Sequence, residues 1–259
     1  MKPWKLADNN YGHVKNQKYE VAVLPLGATE PHNLHLPYGT DLFEASIVGD
    51  KICEAAHLAG AKVVLLPTIP FGTETNLREF PLAINLNPST LHMVIRDIVD
   101  SLLNDGIKKI VLLNSHGGNG FKPLLRELSG KNEAHVFLCN WYQALEDVYF
   151  DIFEKPEDHA GEMETSFGLA FFPELVAKNP DGTLNADDGS TRDAKLEALN
   201  RGWVSITRPW HLLTQNSGAA DPHAATEEKG QKMMDVLVER LGKFLVELSD
   251  EQITDQFPY

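Results

Sequence analysis

The chain alternates short apolar runs, rich in β-branched residues, with longer segments of helical periodicity. Runs of this length that are apolar throughout are typical of strands buried on both faces of a parallel sheet. The predicted strands cover residues 19–26, 62–67, 108–114 and 135–140, and the predicted helices cover 42–59, 88–104 and 120–130. The alternation predicts an α/β fold, in which helices cover both faces of a mainly parallel sheet.

The C-terminal third has a different pattern. Residues 179–193 are acidic and rich in turn-forming residues, which predicts a loop on the surface. Asp221 and Pro222 are suited to the N-cap and first position of a last long helix, whose apolar residues share one face. These residues are Met233, Leu237, Leu241 and Phe244. Since no repeat or flexible linker interrupts the pattern, we expect a single domain over residues 1–259.

Composition narrows the choice of partners and compartment. The 259 residues include 23 Lys and Arg against 37 Asp and Glu, a formal net charge of −14, which argues against binding to nucleic acid. Two cysteines, Cys53 and Cys139, are too few for a disulfide framework. The first residues lack the apolar core of a signal peptide, and no apolar run is long enough to span a membrane. We therefore expect a cytoplasmic protein without membrane association.

Polar residues that could bind a metal follow the first predicted strand. Glu30, His32 and Asp41 lie within twelve residues, in the segment GATEPHNLHLPYGTD, which also contains His35. On extended backbone, Glu30 and His32 point to the same side, and the turn through Pro37 and Gly39 can return Asp41 to them. Carboxylate oxygen and imidazole nitrogen together suit zinc or manganese. Taken alone, Asp41 with Glu44 could instead be a helix-capping pair.

A second candidate segment, NSHGGNG, follows the third predicted strand. It contains His116, and its glycines allow close approach of the backbone to a ligand or another loop. His116 could supply a further imidazole to a two-metal site, while Asn114 and Asn119 could hold the loop or donate to a substrate. The alternative is an ordinary glycine turn with a polar histidine at the surface.

The third candidate segment is DHAGEMETS, residues 158–166. His159 is the natural proton donor or acceptor beside a metal-activated water. Glu162 could complete the ligand set, and Glu164 could anchor neighbouring loops from behind the ligands. Alternatively, both acids have no role in the site and lie in the first turn of a helix, where they interact favourably with the helix dipole.

These three segments, in this order, resemble the creatininase (creatinine amidohydrolase) family, and SGAADPHAATEEKG at 217–230 is a fourth match. The resemblance implies a three-layer α/β fold, two divalent ions (Zn²⁺ or Mn²⁺), hydrolysis of non-peptide C–N bonds in amides, and a homo-hexamer. It implies that Glu30, His32, Asp41 and His116 bind metal, with Asp41 bridging the ions. It also makes His159 the proton shuttle.

Two departures from the family pattern bear on the substrate. The family's creatininases have a metal-binding Glu two residues after the second-motif histidine, where this chain has Gly118, and we expect Glu162 to replace it as a ligand and take part in catalysis. The first motif reads EPHN, so Pro31 and Asn33 alter the rim of the pocket. The sequence thus predicts a hydrolase that acts on a small cyclic amide or formamide other than creatinine. A metal-dependent scaffold or ligand-binding protein without turnover is the alternative.

Overall fold

The computed structural model describes residues 2–259, which contain one four-stranded sheet. Its strands are β1 (Val21–Leu26), β2 (Val63–Leu65), β3 (Lys109–Asn114) and β4 (His135–Asn140). They run parallel in the order β2-β1-β3-β4. Each lies within a predicted apolar run, which confirms the strand predictions and the parallel sheet.

Nine α-helices lie within residues 2–259. They are α1 (Tyr11–Val14), α2 (Thr40–Leu58), α3 (Pro88–Asn104), α4 (Lys122–Leu128), α5 (Tyr149–Ile152), α6 (Glu162–Phe171), α7 (Glu197–Asn200), α8 (Trp210–Leu213) and α9 (Glu227–Asp250). The helices predicted over 42–59, 88–104 and 120–130 are confirmed as α2, α3 and α4. The segment 179–193 contains no helix or strand, in agreement with the predicted loop.

Helices cover both faces of the sheet because successive strand residues point to opposite sides. In β1, Val21 and Val23 pack in a core with apolar residues of α2, α6 and α9. Their neighbours Ala22 and Leu24 belong to a second core, built with α3 and α4. The result is three layers, helix, sheet and helix, as the sequence pattern predicts.

The last helix begins later than its predicted start at Asp221 and Pro222. The N-cap is Thr226, whose side chain accepts a hydrogen bond from the Lys229 backbone N–H at 3.2 Å. Asp221 accepts a hydrogen bond from the His223 backbone N–H at 3.0 Å, so it stabilises a turn before the helix. The same capping chemistry serves either structure, which is why the sequence pattern placed the start too early.

The C-terminal end of α9 is fastened to the sheet by Lys109 at the start of β3. Its Nζ donates to the backbone carbonyls of Leu248, Ser249 and Glu251 at 2.8, 3.1 and 2.8 Å. The final carbonyls of a helix lack partners within the helix and carry partial negative charge, so a buried ammonium group satisfies and stabilises them. This contact holds α9 in place against the sheet.

The register of the sheet places the ends of three strands side by side. Leu26 of β1 pairs with Asn114 of β3, and Asn114 pairs with Asn140 of β4. The loops that leave these positions therefore emerge at one edge, where open parallel sheets bind ligands. Across residues 2–259, none of the helices combines the length and the apolar character needed to cross a membrane.

Candidate metal centre and its pocket

The structure brings together four of the predicted metal ligands, which are almost completely buried: Glu30, His32, Asp41 and His116. The β1 loop supplies Glu30 and His32, the first turn of α2 supplies Asp41, and the β3 loop supplies His116. His116 Nδ1 lies 3.1 Å from both Glu30 Oε1 and Asp41 Oδ2. These residues come from three separate loops and turns, so the sheet topology assembles them.

Asp41 faces histidines on both sides. Its Oδ1 lies 3.3 Å from His32 Nε2, and its Oδ2 lies 3.1 Å from His116 Nδ1. The N-cap of α2 is Gly39, and no side chain caps this helix end. The capping alternative for Asp41 is therefore wrong, and each of its two oxygens faces a different imidazole.

The loop after β3 is held by a hydrogen-bond network. Asn114 Nδ2 donates to the His116 carbonyl at 2.8 Å, and Asn119 Nδ2 donates to Asn114 Oδ1 at 3.0 Å. Asn119 Oδ1 accepts from the Thr73 backbone N–H at 3.0 Å, which ties this loop to the loop after β2. Both asparagines thus hold the loop that positions the His116 imidazole.

The structure does not bring Glu162 to the other candidate ligands. Its Oε2 accepts hydrogen bonds from the backbone N–H groups of Glu154 and Lys155 at 2.8 and 2.7 Å, and its Oε1 lies 2.5 Å from Lys229 Nζ. Both oxygens are therefore occupied in joining α6 to α9 and to the preceding loop. The expectation that Glu162 replaces a ligand is corrected on this ground.

Glu164 occupies the place expected of Glu162. Its Oε2 lies 3.9 Å from His32 Nε2, and the same oxygen accepts from the Ala160 backbone N–H at 2.6 Å. Two residues along a helix turn the side chain by about 200°, so only one of the two glutamates can face the histidines. Glu164 therefore combines the loop-anchoring contact expected of it with a position beside His32 and Asp41.

Substitution of each glutamate separates these roles. We expect Glu164→Gln to weaken divalent-metal binding by at least about tenfold. Glu162→Gln leaves metal affinity within about threefold of wild type, but it breaks a buried ion pair and lowers the free energy of unfolding by about 2–4 kcal/mol. Metal titration of both variants and urea unfolding of the metal-free proteins measure the two effects. Weaker metal binding in Glu162→Gln alone would restore the original assignment.

His159 lies at the edge of the cluster, and one of its ring nitrogens is free to exchange a proton with a bound molecule. Its Nε2 is 2.9 Å from the Pro31 carbonyl, so this nitrogen carries the proton and donates it. Nδ1 is then the acceptor, and it lies 3.7 Å from Glu30 Oε1. The ring packs against His32 at 4.2 Å between centroids and edge-on against Trp210 at 4.9 Å, which fixes its orientation.

The electrostatics of the cluster favour a positive charge. Burial opposes protonation of His32, but Asp41 and Glu30 outweigh it and raise the pKa of His32 to about 9. The pKa of His116 is likewise raised well above its usual value. Burial lowers this pKa, but the nearby carboxylates of Glu30, Glu74 and Asp41 raise it by more. By contrast, burial and the charge of His32 lower the pKa of His159. The two histidines among the carboxylates and the one at the edge are thus suited to different tasks.

Three contributors to the site were not recognised from the sequence. Glu74, on the loop after β2, is fully buried, and its Oε1 lies 3.0 Å from His116 Nε2. Trp210 packs on His159, and Arg208 lies over the Trp210 ring while it forms an ion pair with Asp158 at 2.8 Å. Glu74 follows the end of a predicted strand, and this position is the sequence feature that could have indicated a role in the site. The segment around Arg208 and Trp210 has no periodicity that could place it.

Two adjoining cavities open at this edge of the sheet. A cavity of about 170 Å³ is lined by Glu30, Asp41, His116 and Glu164, together with His159 and Trp210. A larger one of about 480 Å³ is lined mainly by aromatic and apolar side chains, and its walls share Ser115, Gly117, Asp158 and Glu164 with the first. The larger cavity is lined by Trp141, Tyr142, Tyr149, Phe150 and Met163, among others. The polar centre thus adjoins a chamber whose walls combine aromatic and apolar side chains with four acidic ones.

Comparison with known proteins finds similar sequences over most of the chain. The sequence model of the family described as "Creatininase: Creatinine amidohydrolase" matches residues 8–245. A mycofactocin precursor peptide peptidase from Mycobacterium ulcerans is 27% identical over 86% of this chain and 84% of its own length. The creatinine amidohydrolase of Pseudomonas putida is 28% identical over 60% of this chain and 66% of its own length.

Solved structures show the same fold. A crystal structure from Bacteroides fragilis, provisionally identified as a creatinine amidohydrolase, is 36% identical, covers 98% of this chain and 100% of its own, and has a TM-score of 0.87. A creatininase described as a Mn form is 20% identical, covers 96% and 99% of the two chains, and has a TM-score of 0.72. A creatininase mutant described as a Zn-Zn type has a TM-score of 0.75 at 20% identity, covering 97% of this chain and 100% of its own.

Proposed function

The chain belongs to the creatininase family, whose members are hydrolases, and on that premise we propose that it is a metal-dependent amidohydrolase. It cleaves a non-peptide C–N bond in a small cyclic amide or formamide, with a metal-activated water as nucleophile and a substrate other than creatinine. The observation that carries the proposal is the buried cluster of carboxylates and histidines at the strand ends, with His159 beside it.

The donor set fits divalent cations. Glu30 Oε2, Asp41 Oδ2 and both oxygens of Glu74 are buried and accept no hydrogen bond within the protein. Buried carboxylates without partners are strongly unfavourable unless a cation neutralises them. Carboxylates with imidazoles are ligands that zinc and manganese both accept. The residues present are therefore suited to the two ions that the family resemblance implies.

The geometry divides the ligands into two groups that share Asp41. Asp41 Oδ2 lies beside His116 Nδ1, which also faces Glu30 Oε1, while Asp41 Oδ1 lies beside His32 Nε2, which is 3.9 Å from Glu164 Oε2. Divalent ions held by these residues would supply a water of lowered pKa and would polarise the carbonyl of the substrate. Asp41 connects the two groups of ligands, because each of its oxygens faces a different histidine.

His159 handles the proton. Its Nδ1 accepts a proton on the side that faces the cluster, while the Nε2–H bond to the Pro31 carbonyl prevents the ring from turning. A lowered pKa keeps this imidazole neutral and ready to accept a proton near neutral pH. The protonated ring then donates to the departing amide nitrogen, which is a poor leaving group unless protonated.

The form of the pocket supports a substrate other than creatinine. A Cβ at Gly118 would overlap His116 Nε2 and would lie 2.6 Å from the Thr73 carbonyl oxygen, so a glutamate at this position is incompatible with the loop. Asn33 also has a structural task, because its Nδ2 donates to the backbone carbonyl and the side-chain carboxylate of Asp187 at 3.1 Å. The adjoining chamber of about 480 Å³ gives room for a substrate with an apolar part.

A substrate screen tests the proposal. Creatinine, cyclic imides, hydantoins, lactams and formamidopyrimidines are to be assayed with Zn²⁺ or Mn²⁺ supplied. We expect turnover of at least one cyclic amide or formamide with kcat/KM at least about tenfold above that of creatinine, since a displacement of about 1 Å in a site can cost on the order of a hundredfold in rate. No turnover in the panel would favour the binding-protein alternative. Creatinine as the best substrate would contradict the specificity.

The proposal includes assembly as a homo-oligomer, which the family resemblance implies to be a hexamer. Exposed apolar side chains on the segment 196–206, among them Leu196, Trp203 and Ile206, offer surface for subunit contacts. Light scattering coupled to size exclusion should give a mass several times the 28.8 kDa of one chain. A mass equal to one chain would contradict this part of the proposal.

A further inference from the structure

We propose that Glu74 is an additional metal ligand, delivered to the group of Glu30 and His116 from the loop after β2. The inference rests on the proposed function, because it assumes that the cluster binds metal. It assigns to this site a ligand from outside the three segments that carry the metal-binding motifs.

Glu74 is a buried carboxyl group to which the fold supplies no hydrogen-bond donor. Its side chain is inaccessible to solvent, and neither Oε1 nor Oε2 accepts a hydrogen bond within the protein. Its backbone N–H donates to Asn85 Oδ1 at 2.9 Å, so the backbone is satisfied while the side chain is directed elsewhere. A buried carboxylate whose oxygens receive no hydrogen bond is strongly stabilised by a cation beside it.

The Glu74 carboxyl group points at atoms that can share an ion with it. Ligand atoms of Glu30, Glu74 and His116 all lie within 4.8 Å of one another. His116 Nε2 is 3.0 Å from Glu74 Oε1, but the hydrogen bond of this nitrogen goes to the Thr73 carbonyl at 3.2 Å. Glu74 is therefore not the hydrogen-bond acceptor of His116, and its oxygens remain available to a cation.

The loop backbone explains how the carboxyl group reaches the site. Gly118 leaves its side-chain position open, and the Thr73 carbonyl and the His116 ring both border this space. Gly72 is similarly close to Asn119 Oδ1 and to Glu74 Oε1, each 3.0 Å from where its Cβ would be. A side chain at position 118 would collide with the loop after β2, whereas one at position 72 would only make tight contacts. The glycine at 118 therefore allows the close approach that places Glu74 beside Glu30.

The test is metal binding by Glu74→Gln and Glu74→Ala, with Glu79→Gln as the control because Glu79 is exposed on the same loop. Each metal-free protein is titrated with Mn²⁺, and the free ion is counted by electron paramagnetic resonance. We expect wild type and Glu79→Gln to bind two equivalents. In both Glu74 variants, one of the two affinities falls by at least about tenfold and the other stays within about threefold.

Thermal unfolding in chelator gives an independent readout. Removal of one of several buried carboxylates relieves like-charge repulsion, so the metal-free Glu74 variants should melt at or above the wild-type temperature. The rise in Tm on adding Mn²⁺ should be smaller in them. A residue with only a structural role would lower the metal-free Tm instead.

Two results would overturn the assignment. Mn²⁺ affinities within about threefold of wild type in both Glu74 variants would overturn it while leaving the proposed function intact. Wild-type protein that binds no divalent ion would overturn both. The Gln variant preserves the shape of the side chain, so the test does not depend on whether Glu74→Ala folds.

Discussion

Asp41→Ala is expected to lose at least one of the two metal equivalents and to reduce kcat/KM by at least about a thousandfold. The physical reason is that each Asp41 oxygen faces a different histidine, at 3.3 and 3.1 Å, so one substitution removes a ligand from both groups. Loss of metal activation of the water and carbonyl costs several kcal/mol of transition-state stabilisation, and about 4 kcal/mol is a thousandfold. Metal analysis of the purified variant and initial rates measure the effect.

Asp97→Ala is the matched control, because Asp97 is an exposed acid on α3 that lines neither cavity. It should retain the metal content and activity of wild type. His116→Ala should behave like Asp41→Ala, since His116 Nδ1 faces both Glu30 and Asp41. Full metal content and activity in both site variants would exclude the proposed metal centre.

His159→Ala is expected to lower kcat by about 10²- to 10⁴-fold while the metal content stays near that of wild type. His159 lies beside the carboxylate cluster, but its Nε2 is committed to the Pro31 carbonyl and its Nδ1 is 3.7 Å from Glu30 Oε1, further than His116 Nδ1. It therefore contributes more to proton transfer than to holding an ion. Rates with the best substrate of the screen and metal analysis separate the two roles.

The pH profile sharpens the same test. Burial and His32 lower the pKa of His159 below its ordinary value of 6.5, and nearby bound cations would lower it further. Activity should therefore persist below pH 6.5 and fall only as His159 becomes protonated. His211→Ala, an exposed histidine beside Trp210, should keep both the rate and the profile. Loss of metal in His159→Ala would indicate a ligand instead, and wild-type-like rates would exclude the proton-shuttle role.

The local sequence was sufficient to predict the main strands and helices and to identify most of the loops that carry site residues. The four apolar runs became the four strands because each is apolar throughout, as both faces of a covered sheet require. The order of strand and helix then implied parallel strands, whose carboxyl ends meet at one edge. Glu30, His32 and His116 follow those ends directly, so their meeting could be inferred without coordinates.

Tertiary structure decided between Glu162 and Glu164 and brought Glu74 to His116. Helical periodicity predicts that residues at positions i and i+2 point in different directions. It does not predict which of the two points toward the sheet. That choice depends on how α6 packs against α9, where Lys229, far along the chain, pairs with Glu162. The position of Glu74 depends likewise on Gly118, where a side chain would keep the loops after β2 and β3 apart. The local sequence pattern determines which side chains of a helix or strand share a face. Which of those faces meets the site is determined only when elements distant in sequence pack together.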